Sequence, residues 1–149
     1  MEGYPNAKKY DCIAVGSGEA AKLVTWMLSG KQGQTCAVIE RKWMGGSCPN
    51  IACLPSKTFI HSAAIAHQAR NGQHHGVISA GTRIDMATVQ SRKQAMLKSV
   101  NGFRDLFDAY KGDLSKGDAK FVAPKVVQLE DGRQLTADNI IVCTGSRAH

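Results

Sequence analysis

Between Tyr10 and Glu40 the residues follow an order that few folds accommodate. Tyr10-Asp11-Cys12-Ile13-Ala14-Val15 is a short apolar run rich in β-formers. Gly16-Ser17-Gly18-Glu19-Ala20-Ala21 follows it, and Ala20 to about Leu28 reads as helix, with Gly30 as the expected stop. Thr35-Cys36-Ala37-Val38-Ile39-Glu40 is a second strand, ending in an acid 24 residues after Gly16. Strand, glycine turn, helix and strand together make a βαβ unit, whose two strands must lie parallel.

The turn itself is a G-x-G-x-x-A fingerprint in its required setting. Gly16 permits the tight turn. Gly18 lets the backbone approach a pyrophosphate at the helix N-terminus. Ala21 is small enough for the helix to lie against the strand. Glu40 is placed to accept the ribose hydroxyls of an adenosine. The fingerprint does not say which dinucleotide binds, and a glycine-rich turn of another α/β protein is the plainer alternative.

Five residues after Glu40 a second ordered run begins: Gly45-Gly46-Ser47-Cys48-Pro49-Asn50-Ile51-Ala52-Cys53-Leu54-Pro55-Ser56-Lys57. Gly45 and Gly46 allow a sharp turn and a close backbone approach. Pro55 favours the first turn of a helix, and Ser56 to about Arg70 reads as helix. Cys53 then sits at or just before a helix N-terminus, where the helix dipole favours a thiolate. Lys57 adds a positive charge about one turn on. Cys48 can fold back on Cys53 across four residues, giving a dithiol able to close into a short-loop disulfide. Such pairs suit redox cycling better than stapling. Ordinary buried thiols are the bland alternative. A zinc site lacks ligands, since no His follows until His61, and the spacing is not the C-x-x-C of thioredoxin.

With its Gly-Gly-x-Cys-x-Asn-x-x-Cys-x-Pro-Ser-Lys pattern, the chain resembles the N-terminal part of the flavin-dependent pyridine nucleotide-disulfide oxidoreductases. Mercuric reductase and dihydrolipoamide dehydrogenase are members of that family. Pro49-Asn50-Ile51-Ala52 and Ile60-His61-Ser62-Ala63 resemble the mercuric-reductase-like branch most. The similarity runs from about Lys9 to Arg147. It implies a Rossmann-like α/β FAD-binding domain. It also implies electron flow from NAD(P)H through FAD to a Cys48–Cys53 disulfide, and on to a disulfide or metal-ion substrate.

By resemblance, Cys53 is the thiol against the flavin, Cys48 the interchange thiol, and Lys57 the lysine near the flavin. FAD would be held by Gly16, Ser17, Gly18, Glu19, Ala20, Glu40, Arg41, Gly46, Ser47, Lys57, Thr144 and Gly145. Asn139 to Val142 reads as a buried parallel-type strand. It runs into Cys143-Thr144-Gly145-Ser146, where Cys143 stands for the usual Ala and Arg147-Ala148 lacks the usual Pro. The family's second glycine fingerprint, its later Gly-Asp segment and its dimerisation domain with a His–Glu pair are not recognised in these 149 residues. The expectation is a front portion of such an enzyme: a truncated product, one piece of a split enzyme whose nicotinamide and dimerisation parts a second chain supplies, or a remnant that still folds. A flavin-binding module or an inactive remnant without turnover is the alternative. The family is homodimeric, but the chain would lack the dimer domain.

The remaining segments complete a parallel sheet with a small antiparallel meander. Asp85 reads as an N-cap. Met86, Val89, Met96, Val100, Phe103, Phe107 and Tyr110 draw one core-facing stripe on a long helix. Phe121 to Ala123, Val126 to Leu129 and Arg133 to Leu135 are strand-like, with a hairpin turn at Glu130-Asp131-Gly132. They read as a meander inserted before the final strand. Residues 71–84 read as a flexible connection, and His74-His75 as a solvated pair rather than metal ligands. Residues 1–149 are expected to form a single domain, with residues 1–8 a disordered tail.

Composition narrows the function classes. The net charge is +7, but the basic residues are dispersed, which argues against nucleic acid as a partner. From Arg41 to Ile84 there are five Lys or Arg residues and no Asp or Glu. The positive field therefore surrounds the proposed dithiol, where it favours thiolates and a pyrophosphate. No apolar run is long enough to span a membrane, and no signal-peptide pattern opens the chain. With five cysteines, the cytoplasm is the expected compartment. Cys12 and Cys36 lie in strand runs and are expected to be inert.

Overall fold

A computed structural model describes residues 4–99 and 112–146. They fall into two compact units, one from residues 1–47 and 101–149 and the other from 48–100. The stretch holding both motif cysteines has helices of its own and no strand among its described residues.

The first unit is built on one six-stranded sheet. Its strands are β1 (Lys8–Val15), β2 (Cys36–Glu40), β3 (Asp113–Lys116), β4 (Ala119–Ala123), β5 (Val126–Leu129) and β6 (Gln134–Val142), in the order β3-β2-β1-β6-β5-β4. β1 is parallel to β2, with Cys12 opposite Cys36 and Val15 opposite Ile39. It is also parallel to β6, with Lys8 opposite Leu135 and Val15 opposite Val142. β4, β5 and the start of β6 are antiparallel. Helix α1 (Glu19–Trp26) crosses from β1 to β2.

Alternation along the strands makes two cores. Ala14 and Val38 meet Ala21 of α1 on one face, with Leu114 and Cys143 against them. Ile13, Ala37 and Ile39 point to the other face and join Tyr10, Val127, Leu129, Leu135 and Ala137. Both faces of the central strands are therefore covered, as parallel strands require.

Several elements differ from the sequence reading. The third meander strand and the final strand are one continuous β6. Polar Thr136, Asp138 and Asn139 divide the apolar pattern, but β1 pairs along the whole length and holds the strand straight. The Thr136 hydroxyl donates to the Lys125 carbonyl at 2.9 Å. The meander is therefore part of the main sheet. β3 was not foreseen, because Asp113-Leu114-Ser115-Lys116 has one apolar residue in four. It is recruited by pairing with β2 and by Asp113, whose carboxylate accepts bonds from Lys8 and Tyr10 of β1.

Helix α1 runs past Gly30 through a π-turn, Met27–Lys31. The hydroxyls of Thr25 and Ser29 each bond the carbonyl four residues back, at 2.7 Å. Such back-bonding loosens a helix. Gly33, at φ +67°, takes the left-handed residue after it. Lys8 opens β1, and the Tyr4 hydroxyl donates to the Val122 carbonyl at 3.1 Å.

The second unit holds α2 (Ser47–Asn50), α3 (Cys53–Asn71), a 3₁₀ turn (Gly72–His75) and α4 (Met86–Ser99). The connection after α3 is more structured than expected: Val77 N–H bonds the Gly72 carbonyl at 3.0 Å, and the Ser79 hydroxyl bonds Ala69 at 3.1 Å. Asp85 caps α4 as foreseen, with its carboxylate accepting Ala87 and Thr88 N–H and the Thr88 hydroxyl. Of the described residues of the expected core-facing stripe, Val89 is buried, Met96 is half-buried and Met86 is 53% exposed. A pair of helices has one shared seam, too narrow to bury every apolar position. Val100, Phe103, Phe107 and Tyr110 of that stripe lie outside the described residues. No helix among the described residues is long and apolar enough to cross a membrane.

Ile13 is fully buried where β1, β2 and β6 meet. Replacing it with Ala is expected to cost about 3 kcal/mol through lost burial and a cavity. A urea unfolding series would measure this.

Candidate functional site

β1, β2 and β6 all end at one edge of the sheet, because Val15 is in register with both Ile39 and Val142. The chain leaves β1 towards β2 on one side, while β6 flanks β1 on the other. Such a reversal marks, at the carboxyl ends of the strands, the usual ligand position in α/β sheets. Gly16 lies there at φ +97°. Its N–H bonds the Ile39 carbonyl at 2.7 Å, and Cys143 N–H bonds the Val15 carbonyl at 2.7 Å. A Cβ on Gly16 would stand 2.3 Å from the Cys143 carbonyl oxygen, so no other residue fits. Gly18 is the N-cap of α1, and no side chain caps the helix. Its first-turn N–H groups are the kind that bind anions.

The loop after β2 returns to this turn. A Cβ on Gly46, at φ +72°, would stand only 2.7 Å from the Cα of Gly18, so none fits. The two glycine segments thus touch backbone to backbone. Ser17, 4% exposed, ties them chemically. Its hydroxyl accepts Gly45 N–H at 3.0 Å and donates to Glu40 Oε2 at 2.6 Å. The Trp43 carbonyl lies 3.3 Å from the same hydroxyl.

Glu40 closes the arrangement. Oε2 also accepts Ser17 N–H at 2.9 Å, and Oε1 accepts Lys42 N–H at 2.8 Å and Trp43 N–H at 3.2 Å. Burial pushes the Glu40 carboxyl up. The hydrogen bonds from the Ser17 hydroxyl and from the Lys42, Ser17 and Trp43 amides outweigh it and hold the group below its ordinary value.

Other predicted cofactor residues are distributed around this edge. Glu19 and Ala20 are exposed at the start of α1, with Glu19 paired to Lys22 at 2.8 Å. Arg41 is exposed and pairs with Asp118 at 3.4 Å. Thr144 and Gly145 follow β6, exposed, with Gly145 at φ +76°. Ser47 is exposed at the head of α2.

Cys48, Cys53 and Lys57 belong to the second unit. Cys48 is the second residue of α2, and Cys53 is the first residue of α3, three residues earlier than that helix was expected to start. Both thiols are half-buried. No side chain caps α3. The Ser56 hydroxyl bonds the Cys53 carbonyl at 3.1 Å, and Ser56 N–H bonds the Ala52 carbonyl at 3.0 Å. Pro55 is buried in the first turn, and Lys57 is exposed one turn after Cys53 on the same helix face.

Cys12 and Cys36 sit opposite one another, each 1% exposed. Burial pushes both thiols up, Cys36 to about 11, with smaller contributions from neighbouring thiols and Asp11. Burial of this kind leaves little thiolate at neutral pH. Among the described residues no group of three or more His, Cys, Asp or Glu could hold a metal ion. A shallow cavity of about 380 Å³ lies at the amino end of the sheet, beside Lys8, Tyr10, Asp113 and Arg133. It contains none of the predicted site residues. Ser17 is legible in the sequence as a cofactor contact, but its hydroxyl's ties to Gly45 and Glu40 are not, since no local signal links the three.

Comparison with known proteins sets this arrangement in context. Residues 10–149 match the family described as pyridine nucleotide-disulphide oxidoreductase. The chain is similar to a mercuric reductase of Lysinibacillus sphaericus, 32% identical over 95% of this chain and 26% of that protein. It is also similar to a dihydrolipoyl dehydrogenase of Trypanosoma brucei brucei, 32% identical over 96% of this chain and 31% of that one. The chain thus spans between a quarter and a third of the length of these relatives. In fold it is similar to the HOCl-induced flavoprotein disulfide reductase RclA from Escherichia coli, with a TM-score of 0.75 and 24% identity, over 94% of this chain and 29% of that one.

Two expected outcomes test the geometry. Since Glu40 titrates below its ordinary value when folded, its stabilisation is fully present above about pH 4.3. It is lost as pH falls through the lowered folded value. Glu40→Gln should flatten this acid limb in urea unfolding followed from pH 6 to pH 3. In the native protein, iodoacetamide should label Cys48 and Cys53 well before Cys12 and Cys36, as read by peptide mass spectrometry.

Proposed function

The chain belongs to the pyridine nucleotide-disulphide oxidoreductase family, and from that premise we propose that it is the flavin-side portion of a disulfide oxidoreductase. The observation that carries the reading is the glycine cradle. Gly16 and Gly46 leave no room for side chains beside Gly18, where a pyrophosphate would approach, and an uncapped helix start begins at the same turn. This cradle fits FAD. The first-turn amides of α1 would hold its pyrophosphate and Glu40 its ribose, with Ser17, Glu19, Ala20, Arg41, Ser47, Thr144 and Gly145 lining it. Bound there, FAD would supply a two-electron carrier matched to a dithiol.

The thiol chemistry belongs to the chain itself. Cys48 as thiolate attacks a substrate disulfide, forming a mixed disulfide and releasing one substrate thiolate. Cys53 then attacks the Cys48 sulfur. The mixed disulfide breaks, the second substrate thiol leaves, and a Cys48–Cys53 disulfide has formed. Two electrons have passed to the substrate. A soft metal ion is the other acceptor that such a dithiol serves. Re-reduction by NAD(P)H needs nicotinamide-binding and dimerisation parts from outside these residues, supplied by a second chain or a longer one. A cytoplasmic setting suits a thiol of this kind, because cytosolic reductants keep it active.

Absorbance after incubation with FAD and removal of the excess tests this reading. The wild-type chain should retain a flavin spectrum that changes at long wavelength on adding dithiothreitol. Cys53→Ser should abolish the change, and Gly16→Ala should lose the flavin. A colourless wild-type protein overturns the proposal. A retained flavin whose spectrum ignores the thiols would make the chain a flavin-binding module without turnover.

A further inference from the structure

The Glu40 carboxylate accepts four donors: the Ser17, Lys42 and Trp43 amides and the Ser17 hydroxyl. An ionised carboxylate has about four acceptor positions, so its own chain fills them all. Three of the four donors are backbone amides, fixed by the path of the chain. The fourth can turn away without moving a heavy atom. The Ser17 hydroxyl has one proton and two acceptors in reach, Glu40 Oε2 at 2.6 Å and the Trp43 carbonyl at 3.3 Å. Turning from one to the other leaves its acceptance of Gly45 N–H at 3.0 Å in place. The loop from Arg41 to Gly46 therefore stays anchored while one acceptor position on Glu40 opens.

We propose that Ser17 is a positioning residue for ribose recognition: its hydroxyl turns between Glu40 and the Trp43 carbonyl, opening Glu40 to one ribose hydroxyl and not to both. The proposal rests on the reading of Glu40 as the ribose acid of a bound adenosine dinucleotide. It goes further by fixing how many hydroxyls are read and what the exchange costs. The ligand hydroxyl replaces a charge-assisted bond that Ser17 must give up for a weaker neutral one. Removing the Ser17 hydroxyl removes that competition and sharpens ribose discrimination, even where it loosens the loop.

The test uses the purified protein and calorimetric titration with ADP, 2′-deoxy-ADP and 3′-deoxy-ADP. The wild-type protein should bind one deoxy analogue more weakly than ADP and the other equally well. Weakening with both analogues overturns the proposal without any variant. In Ser17→Ala the ratio between the discriminated analogue and ADP should rise about fivefold, the difference between a charge-assisted and a neutral bond. Ser17→Thr, which keeps the hydroxyl, should retain the wild-type ratio. A merely structural Ser17 would weaken all three nucleotides alike and leave the ratio unchanged, and that result overturns the proposal. Glu40→Gln separates the two layers. If the wild-type protein discriminates but Glu40→Gln does so equally, Glu40 is not the ribose acid and both readings fall. If Glu40→Gln loses discrimination while Ser17→Ala leaves the ratio unchanged, only the Ser17 proposal falls.

Discussion

The contact between Gly16 and the Cys143 carbonyl is the constraint on which the first unit depends. A Cβ at Gly16 would lie 2.3 Å from that oxygen, closer than any packed atom can sit. Only because it is absent do the ends of β1 and β6 draw together, with Cys143 N–H on the Val15 carbonyl and Gly16 N–H on the Ile39 carbonyl. Those two bonds join three strands at one edge. The left-handed Gly16 then throws the chain over the sheet into α1, whose Ala21 packs on Ala14 and Val38. Fold and site share one cause, since the turn that closes the sheet is also the turn that presents the amides of α1.

Glu40 extends this economy of parts. Even a partly buried carboxylate is costly unless hydrogen bonds compensate it. Here the compensation comes from the chain segments the site must organise: the fingerprint turn through Ser17, and the loop after β2 through Lys42 and Trp43. The same loop leads to Gly46, pressed against Gly18. A residue read from sequence as a ligand contact is thus also a structural tie.

Much of the unit was legible beforehand because its signals are local. An apolar run, a glycine turn at fixed spacing, a helix and an acid-terminated strand specify a βαβ unit by period and turn chemistry. The cysteine motif was legible for the same reason, and Cys53 does open a helix with Pro55 in its first turn. What escaped was set by partners distant in sequence. β3 has almost no apolar pattern and exists through β2 and the bonds from Lys8 and Tyr10 to Asp113. β6 looked like two strands because polar residues interrupt it, yet one long partner makes it continuous. Within α4 the stripe reads as a core face, and of its described residues Val89 is buried and Met96 half-buried.

The sequence by itself determined the family, the parallel βαβ frame, the glycine turn and the positions of Cys48, Cys53 and Lys57. These follow from backbone rules that act over a few residues: φ permission at glycine, helix starts at proline, and side-chain period. The tertiary structure alone decided that Ser17, Glu40, Trp43, Gly45, Gly46 and Cys143 converge. Their hydrogen bonds and contacts span 23 to 28 residues between the fingerprint and the second loop, and more than a hundred between Gly16 and Cys143. No local pattern encodes such pairs, because they form only when the sheet brings three strand ends to one edge.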